Sequence, residues 1–323
     1  MPIIEKSDYK SPFYLFSRHL QTILPALFRR VGNVCYERIR ITTPDQDFLD
    51  LDWSRPHNSE HLIILSHGLE GDSYRPYVLG MVRAMNMQGF DVLAWNYRGC
   101  SGENNKHLKS YHSGETNDLH YVINHVLNNH SYKNITLIGF SVGGNIVLKY
   151  LGENPDKVPI QVINSVTFSV PCHLESGAHH LAKFKSRIYM RRFLHSLEQK
   201  IKEKSLLWPE QCNALEFNKI SNFMQFDTLF TAPVNGYKDA IEYWTKNSSI
   251  FYLKNINKPT LIVTAKNDPF LAPQCYPYKE AKESKFIYLE TPSSGGHCGF
   301  YEKNQEGIYW SEKRAIEFLL NNR

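Results

Sequence analysis

The sequence predicts an α/β protein with a mostly parallel, doubly wound sheet, an N-terminal antiparallel hairpin and a helical cap insertion. Short β-rich runs alternate with helical patterns along most of the 323 residues, which is typical of a parallel sheet with helices on both faces. The run "HLIILSHG" is continuously apolar up to a polar loop, as expected for a strand buried on both faces. The alternation stops between residues 172 and 255, where we find no convincing strand.

The hairpin comes first in chain order, because "YERIRITT" and "DFLDLDW" flank a turn at Pro44–Asp45. The following strands are predicted at "HLIILSHG", "FDVLAWNYRG", "NITLIGF", "SVTFSV", "TLIVTAKND" and "KFIYLE". Helices are predicted at "RPYVLGMVRAMNMQG", at "TNDLHYVINHVLNNH", directly after "NITLIGF", and at the closing "GIYWSEKRAIEFLLNN".

The interruption of this alternation predicts the domain organisation. Residues 1–171 and 256–323 are expected to form the core, and residues 172–255 a helical cap or lid. In the insertion, "LAKFKSRIYMRRFLHSLEQKIKEK" places Leu181 and Phe184, and then further apolar residues, at helical spacing, which indicates one amphipathic helix. We expect such an insertion to lie above the carboxyl ends of the strands, where ligands bind in open α/β sheets.

Composition and charge argue against several classes of protein. The net charge of +5, from 37 basic and 32 acidic residues, and the lack of a Lys/Arg block argue against nucleic-acid binding. The six cysteines show neither CxxC pairs nor zinc-like spacing, so we expect free thiols in a reducing compartment. The sequence shows neither a signal-peptide pattern at its start nor an apolar run of the ~20 residues that a membrane span needs. A cytoplasmic protein is therefore expected.

The stretch "NITLIGFSVGGNIVLKY" places a serine at the joint between a predicted strand and a predicted helix. Gly139 and Gly143 flank Ser141 in a G-x-S-x-G pattern, in the strand–turn–helix context that exposes a nucleophilic hydroxyl. Glycines at the flanking positions avoid collisions in so sharp a turn. The N-terminus of the following helix directs its dipole at the same point. Ser141 is therefore the candidate nucleophile.

A serine hydroxyl needs a base within hydrogen-bond reach, and the base needs an acid that orients it. Asp268 ends the predicted strand "TLIVTAKND", and His297 lies in a glycine-rich loop after the last predicted strand. Both residues therefore follow strand carboxyl ends, in the chain order serine, acid, histidine. Glu290, at the end of "KFIYLE", is the alternative acid.

Acyl transfer also needs backbone N–H groups aimed at the oxyanion that develops during the reaction. Val142, the residue after the candidate nucleophile, is expected to supply one of these groups. Leu69 is the candidate for the other, because residues 67–71 form an HGxxG pattern directly after the strand "HLIILS". A plain turn is the alternative interpretation of this loop.

Seven further motifs extend this pattern over nearly the whole chain: "RHLQTILPAL", "SHGLEGDS", "NYRGCSG", "GFSVGGN", "FDTLFTAPVNGYKDAIEYW", "KNDPF" and "GGHCGF". Together they resemble the α/β-hydrolase superfamily, and in particular its YheT-like (hydrolase-4) branch of predicted esterases. The resemblance implies an α/β-hydrolase sheet and the triad Ser141, Asp268 and His297. It also implies cleavage of esters of acyl chains, with some relatives acting on lipids, but it supplies no particular substrate.

We interpret the chain as a serine hydrolase that cleaves carboxylic esters with a short-to-medium or lipid-like acyl chain, through an acyl-enzyme on Ser141. No metal or organic cofactor is expected. The alternatives are an acyltransferase or thioesterase with the same triad, or a non-catalytic binding protein on this fold. The expected partner is a small-molecule or lipid-like ester, and peripheral membrane contact through the cap or the N-terminal "HLQTILPALFRR" stays open.

Overall fold

The computed structural model describes residues 3–322 of the chain. Within them, nine strands form one sheet: β1 (Ile3–Ile4), β2 (Glu37–Thr42), β3 (Phe48–Ser54), β4 (His61–Ser66), β5 (Asp91–Asn96), β6 (Asn134–Phe140), β7 (Val162–Phe168), β8 (Thr260–Val263) and β9 (Ile287–Glu290). Across the sheet the order is β1-β9-β8-β7-β6-β4-β5-β3-β2. β3 pairs antiparallel with β2 and β5, and the other neighbouring pairs of these strands are parallel. The predicted mostly parallel sheet and its antiparallel hairpin are confirmed.

Helices cover both faces of this sheet. They are α1 (Arg18–Phe28), α2 (Pro76–Met87), α3 (Thr116–Asn129), α4 (Val142–Glu153), α5 (Leu174–Leu181), α6 (Arg187–Leu207), α7 (Phe223–Phe226), α8 (Ala232–Val234), α9 (Ala240–Asn247), α10 (Tyr278–Glu283) and α11 (Trp310–Asn321). Side chains alternate along β4: Leu62 and Ile64 pack in a cluster with residues of α3 and α4, whereas Ile63 and Leu65 pack with residues of α2 and α11. The continuous apolar run of β4 is therefore explained by cover on both faces.

Two terminal features differ from the sequence prediction. The sequence patterns do not predict β1, because two residues are too few to show a periodicity. β1 pairs in parallel with β9, with Ile3 opposite Leu289. The closing helix begins at Trp310 rather than at Gly307, whose φ of 65° lies in the left-handed region and starts no α-helix.

The predicted cap follows β7. The fully described residues 172–255 contain helices and turns and no strand. Side chains of this segment, such as Leu194 and Phe226, form an apolar cluster with Phe270, which belongs to the loop after β8. The insertion thus packs over the carboxyl end of the sheet. Its division from the core at residues 172 and 255 stays a prediction, and residues 1, 2 and 323 of the predicted core lie outside the described part of the chain.

The prediction of one continuous helix over residues 181–204 is wrong. α5 ends and α6 begins within this range, and a 3-10 turn lies between them. Lys183 is extended, with φ −66° and ψ 152°, and this break shifts the helical phase. Phe184 and Ile188 consequently fall outside the buried faces of both helices, and they are 82% and 67% exposed. None of the helices within residues 3–322 is long and apolar enough to span a bilayer.

Candidate active site

Ser141 alone connects β6 to α4, and its backbone is strained. Its φ of 53° and ψ of −119° lie in a region that residues with a Cβ rarely adopt. A Cβ at Gly139 would lie 2.5 Å from the carbonyl oxygen of Gly143, and a Cβ at Gly143 would lie 2.3 Å from the carbonyl oxygen of Ser66. The turn is therefore possible only because both flanking positions lack a side chain.

The structure brings Ser141, His297 and Asp268 into one chain of hydrogen bonds. His297 Nε2 lies 3.0 Å from Ser141 Oγ. His297 Nδ1 lies 2.9 Å from Asp268 Oδ2 and 3.1 Å from Asp268 Oδ1. Because a carboxylate only accepts, an Nδ1–H group donates to Asp268, and Nε2 of the neutral ring is left to accept the Ser141 hydrogen. The alternative acid, Glu290, instead pairs with Arg314 of α11 at 2.6 Å.

The surroundings of the His297 ring favour its charged form. Burial disfavours a charged imidazole, but the Asp268 carboxylate and the Cys298 side chain together outweigh burial and raise the pKa of His297. The side chain of Asp268 is fully buried. Phe270 stacks on the His297 ring, with ring centroids 3.9 Å apart. The ring is thus held between a carboxylate and an aromatic face.

Helix α1 supports the loop that carries His297, and sequence reasoning gave this helix no such role. Thr22 Oγ1 accepts a hydrogen bond from the backbone N–H of His297 at 3.0 Å. Gln21 Oε1 accepts from the N–H of Gly295 at 2.9 Å and from Asn267 Nδ2 at 2.9 Å. The motif "HLQT" supports the family resemblance, but no pattern in the sequence connects it with His297, which lies 275 positions from Thr22.

The backbone N–H groups of Leu69 and Val142, the candidate oxyanion donors, have no hydrogen-bond acceptor among residues 3–322. Val142 is the first residue of α4, so its N–H group has no acceptor within the helix. In the other loop, Gly68 donates to Tyr77 Oη and Glu70 donates to Tyr111 Oη, both at 2.9 Å. Within residues 3–322 no acceptor engages the Leu69 N–H group that lies between them. This loop contacts Ser141, since a Cβ at Gly68 would lie 3.4 Å from Ser141 Cβ.

The cap reaches the same loop through one ion pair that sequence reasoning missed. Lys200 Nζ of α6 lies 2.9 Å from Glu70 Oε1. Glu70 Oε1 also accepts a hydrogen bond from Tyr111 Oη at 2.7 Å. The loop with the Leu69 N–H group is therefore fixed from the core by Tyr111 and from the cap by Lys200.

Two cavities meet at Ser141 and His297, and both residues line both cavities. The first, of about 160 Å³, lies beneath the cap and is lined mainly by apolar side chains, such as Leu181 and Leu197. The second, of about 200 Å³, is lined by residues of α1 and α6. Ser141 thus borders an apolar cavity beneath the cap and an adjoining cavity beside α1.

One buried carboxylate lies in the first cavity. Asp227 accepts a hydrogen bond from Trp244 Nε1 at 2.8 Å and from Thr231 Oγ1 at 2.6 Å. Burial raises the pKa of Asp227 to about 6, and these two hydrogen bonds oppose the rise. All three residues belong to the insertion, so Asp227 ties cap segments to one another.

Comparisons with known proteins agree with this geometry. A profile of the family described as alpha/beta hydrolase fold matches residues 61–304. YheT, a predicted esterase of Escherichia coli (strain K12), is 36% identical over 307 residues, which cover 93% of this chain and 89% of that protein. The phospholipase ABHD3 of Bos taurus is 28% identical over 310 residues, which cover 93% of this chain and 75% of that protein.

A solved esterase structure from Pyrococcus furiosus matches with a TM-score of 0.61 and 18% identity, over 91% of this chain and 96% of that chain. At this low identity the match supports the fold alone. The family profile covers most of the chain, and the similarity to YheT extends over nearly all of it. The chain therefore belongs to the alpha/beta hydrolase family, and it is a hydrolase similar to esterases of that family.

Proposed function

We propose that this protein is a serine esterase that cleaves carboxylic esters through an acyl-enzyme on Ser141. The observation that carries the proposal is the position of His297, which lies within hydrogen-bond distance of Ser141 on one side and of Asp268 on the other. This arrangement supplies a nucleophile, a general base and an acid that orients the base.

The proposed reaction has two halves. His297 Nε2 takes the hydroxyl proton while Ser141 Oγ attacks the ester carbonyl carbon, and the carbonyl electrons move onto oxygen. The N–H groups of Leu69 and Val142 stabilise this oxyanion. When the tetrahedral intermediate collapses, the alcohol leaves with the proton from His297. Water then attacks the acyl-enzyme with His297 again as the base, which releases the carboxylic acid and restores the free hydroxyl.

The cavity beneath the cap supports an acyl group of short to medium length. Its lining is predominantly apolar, and its volume is about 160 Å³. Apolar walls also exclude water, which strengthens the electrostatic interactions of the reacting groups. YheT and ABHD3 are both named for the cleavage of esters, which supports a carboxylic ester, including a lipid-like ester, as the substrate.

A series of p-nitrophenyl esters of graded acyl length tests this function. We expect turnover by the wild type with an optimum at short to medium chains, and a loss of at least roughly a thousandfold in kcat for Ser141→Ala. Ser131→Ala is the matched control, because Ser131 is exposed in the loop before β6, at the opposite edge of the sheet. Full turnover by Ser141→Ala would overturn the proposed mechanism.

A further inference from the structure

Helix α1 buries two polar side chains and exposes two large apolar ones at its C-terminal end. A surface helix of a globular protein ordinarily turns its apolar stripe to the core and its polar residues to solvent. In α1 the polar Gln21 and Thr22 are only 4% and 8% exposed, whereas Leu27 and Phe28 are 48% and 69% exposed. Phe16, just before the helix, is 83% exposed.

The buried polar residues of α1 have a clear use inside the protein. Gln21 and Thr22 accept hydrogen bonds from the loop of His297. At the C-terminal end of the same helix, Leu27 and Phe28 remain exposed. Phe16, Leu27 and Phe28 are exposed, and we call these three side chains the outer face of α1. Large apolar side chains exposed on a surface are typical of a site that binds another protein or a membrane.

The charged residues near this face indicate which kind of partner it binds. Residues 9–36 contain no Asp or Glu, and they include Lys10, Arg18 and Arg30. The adjacent segment 176–197 also contains no Asp or Glu, and it carries five cations: Lys183, Lys185, Arg187, Arg191 and Arg192. The two segments are in contact, because His19 Nδ1 lies 2.9 Å from Tyr189 Oη. The loop that contacts segment 9–36 through Tyr301 and Gly307 carries Glu302 and Glu306, so the cations of the two segments outnumber the acidic residues beside them. Exposed apolar side chains next to an excess of cations suit the surface of an anionic lipid bilayer.

The second cavity reaches the surface between the same two segments. Ala26 of α1 and Arg192 of α6 both line it and are both exposed. Ser141 also lines it. A bilayer in contact with the outer face of α1 would therefore lie beside an entrance to the site.

We propose that the outer face of α1 docks the protein on an anionic phospholipid bilayer, with the basic segment 176–197 beside the lipid headgroups. Leu27, Phe28 and Phe16 enter the boundary between headgroups and acyl chains, and the arginines contact lipid phosphates. The docking is peripheral and involves no membrane span. It does not depend on the proposed esterase reaction, since it is a property of the surface.

Co-sedimentation with vesicles of ether-linked lipids tests the proposal, because such lipids contain no carboxylic ester that the protein could cleave. The wild type is expected to bind vesicles of equimolar ether-linked phosphatidylcholine and phosphatidylglycerol at least tenfold more strongly than vesicles of the phosphatidylcholine alone. The double variant Leu27→Gln/Phe28→Gln, which keeps the net charge, is expected to bind the anionic vesicles at least tenfold more weakly than the wild type.

Ile160→Gln is the matched control. Ile160 is 81% exposed and precedes β7, so it lies at the edge of the sheet opposite the site. This variant is expected to bind vesicles as the wild type does, and all proteins are expected to hydrolyse a soluble p-nitrophenyl ester equally. Absence of wild-type binding, equal binding to both vesicle types, or undiminished binding by the double variant overturns the proposal. A wild-type dimer that the double variant dissociates, measured by sedimentation velocity, also overturns it and assigns the face to a second copy.

Discussion

Lys200 of the cap and Glu70 of the core form an ion pair of 2.9 Å across 130 positions of sequence, beside the open N–H group of Leu69. Only 7% of the Glu70 side chain is exposed. Pairs in such surroundings fix a geometry more than they add stability. The cap therefore contributes to the shape of the proposed oxyanion site as well as to its cover.

Replacement of the cap lysine is expected to slow the chemical step. In Lys200→Met the loop of Leu69 loses its contact with the cap, and Glu70 keeps Tyr111 as its hydrogen-bond donor. We expect kcat to fall roughly tenfold, with a smaller change in KM, because the loss affects oxyanion stabilisation. Lys202→Met is the matched control, since Lys202 forms an exposed pair with Glu198 on the same helix. Equal effects of the two substitutions on kcat would contradict this role.

Thr22 is expected to act as a positioning residue for the histidine loop. Thr22→Val removes the oxygen that accepts the His297 N–H group, and we expect kcat to fall roughly tenfold because the ring loses its fixed position. Thr22→Ser keeps the hydroxyl, so it should restore most of the activity. Steady-state kinetics of both variants checks this expectation. A valine variant as fast as the wild type would show that this hydrogen bond does not position the His297 ring.

The pH dependence of turnover is expected to report the Asp268–His297 pair. Asp268 raises the pKa of His297, so the ring keeps its proton to a higher pH than an ordinary histidine. Only the neutral ring accepts a proton, so kcat/KM should rise as the pH passes through that pKa. Asp268→Asn should move this rising limb to lower pH, and should lower the plateau roughly a thousandfold or more.

Glu290→Gln is the control for the pH experiment. Glu290 was the alternative acid, but it pairs with Arg314. In this variant, kcat/KM should rise with the same midpoint pH as in the wild type. If the rising limb of kcat/KM moved in Glu290→Gln and stayed in place in Asp268→Asn, Glu290 and not Asp268 would be the acid that orients His297.

Asp227 is expected to make the fold less stable as the pH rises. Its pKa is raised by burial from 3.8 to about 6, so the folded protein binds this proton more tightly than the unfolded chain does. Stability therefore falls as the pH rises from about 4 to above 6. Asp227→Asn keeps an oxygen that accepts the hydrogen bond from Trp244 Nε1. Because the amide does not ionise, the variant should not lose this stability as the pH rises. Relative to the wild type, its unfolding free energy should improve by up to about 3 kcal/mol between about pH 4 and pH 8.

Urea denaturation of both proteins at the two pH values measures this difference. The wild type and the variant should differ by an amount that grows with pH. A difference that is the same at both pH values would show that Asp227 does not change its charge in this range.

The sheet and the serine turn were predictable because local chemistry decides them. β4 needs apolar side chains on both faces, and this requirement produces an unbroken apolar run. The sharp turn at Ser141 excludes a Cβ at Gly139 and Gly143. The spacing of the two glycines in the sequence therefore indicates the turn directly. The proximity of Asp268 and His297 to Ser141 was predictable because parallel strands bring their carboxyl ends to one edge of the sheet.

The features that the sequence did not reveal depend on contacts between distant segments. No local pattern marks Lys200 as the partner of Glu70, or Thr22 as the acceptor for His297. The helix break before α6 was hidden because Phe184 and Ile188 continue the apolar spacing, although the extended Lys183 places them outside the buried faces. Periodicity shows which residues share a face, but it does not show where a helix stops.

Labelling with a fluorophosphonate, followed by mass spectrometry of the peptides, tests the central claim most directly. The reagent forms a covalent bond with a serine that a neighbouring base activates. The account predicts one modified serine, Ser141, in the folded wild type, and strongly reduced labelling in His297→Ala. A folded wild type that stays unlabelled at Ser141, or a His297→Ala variant labelled as fast as the wild type, would contradict it.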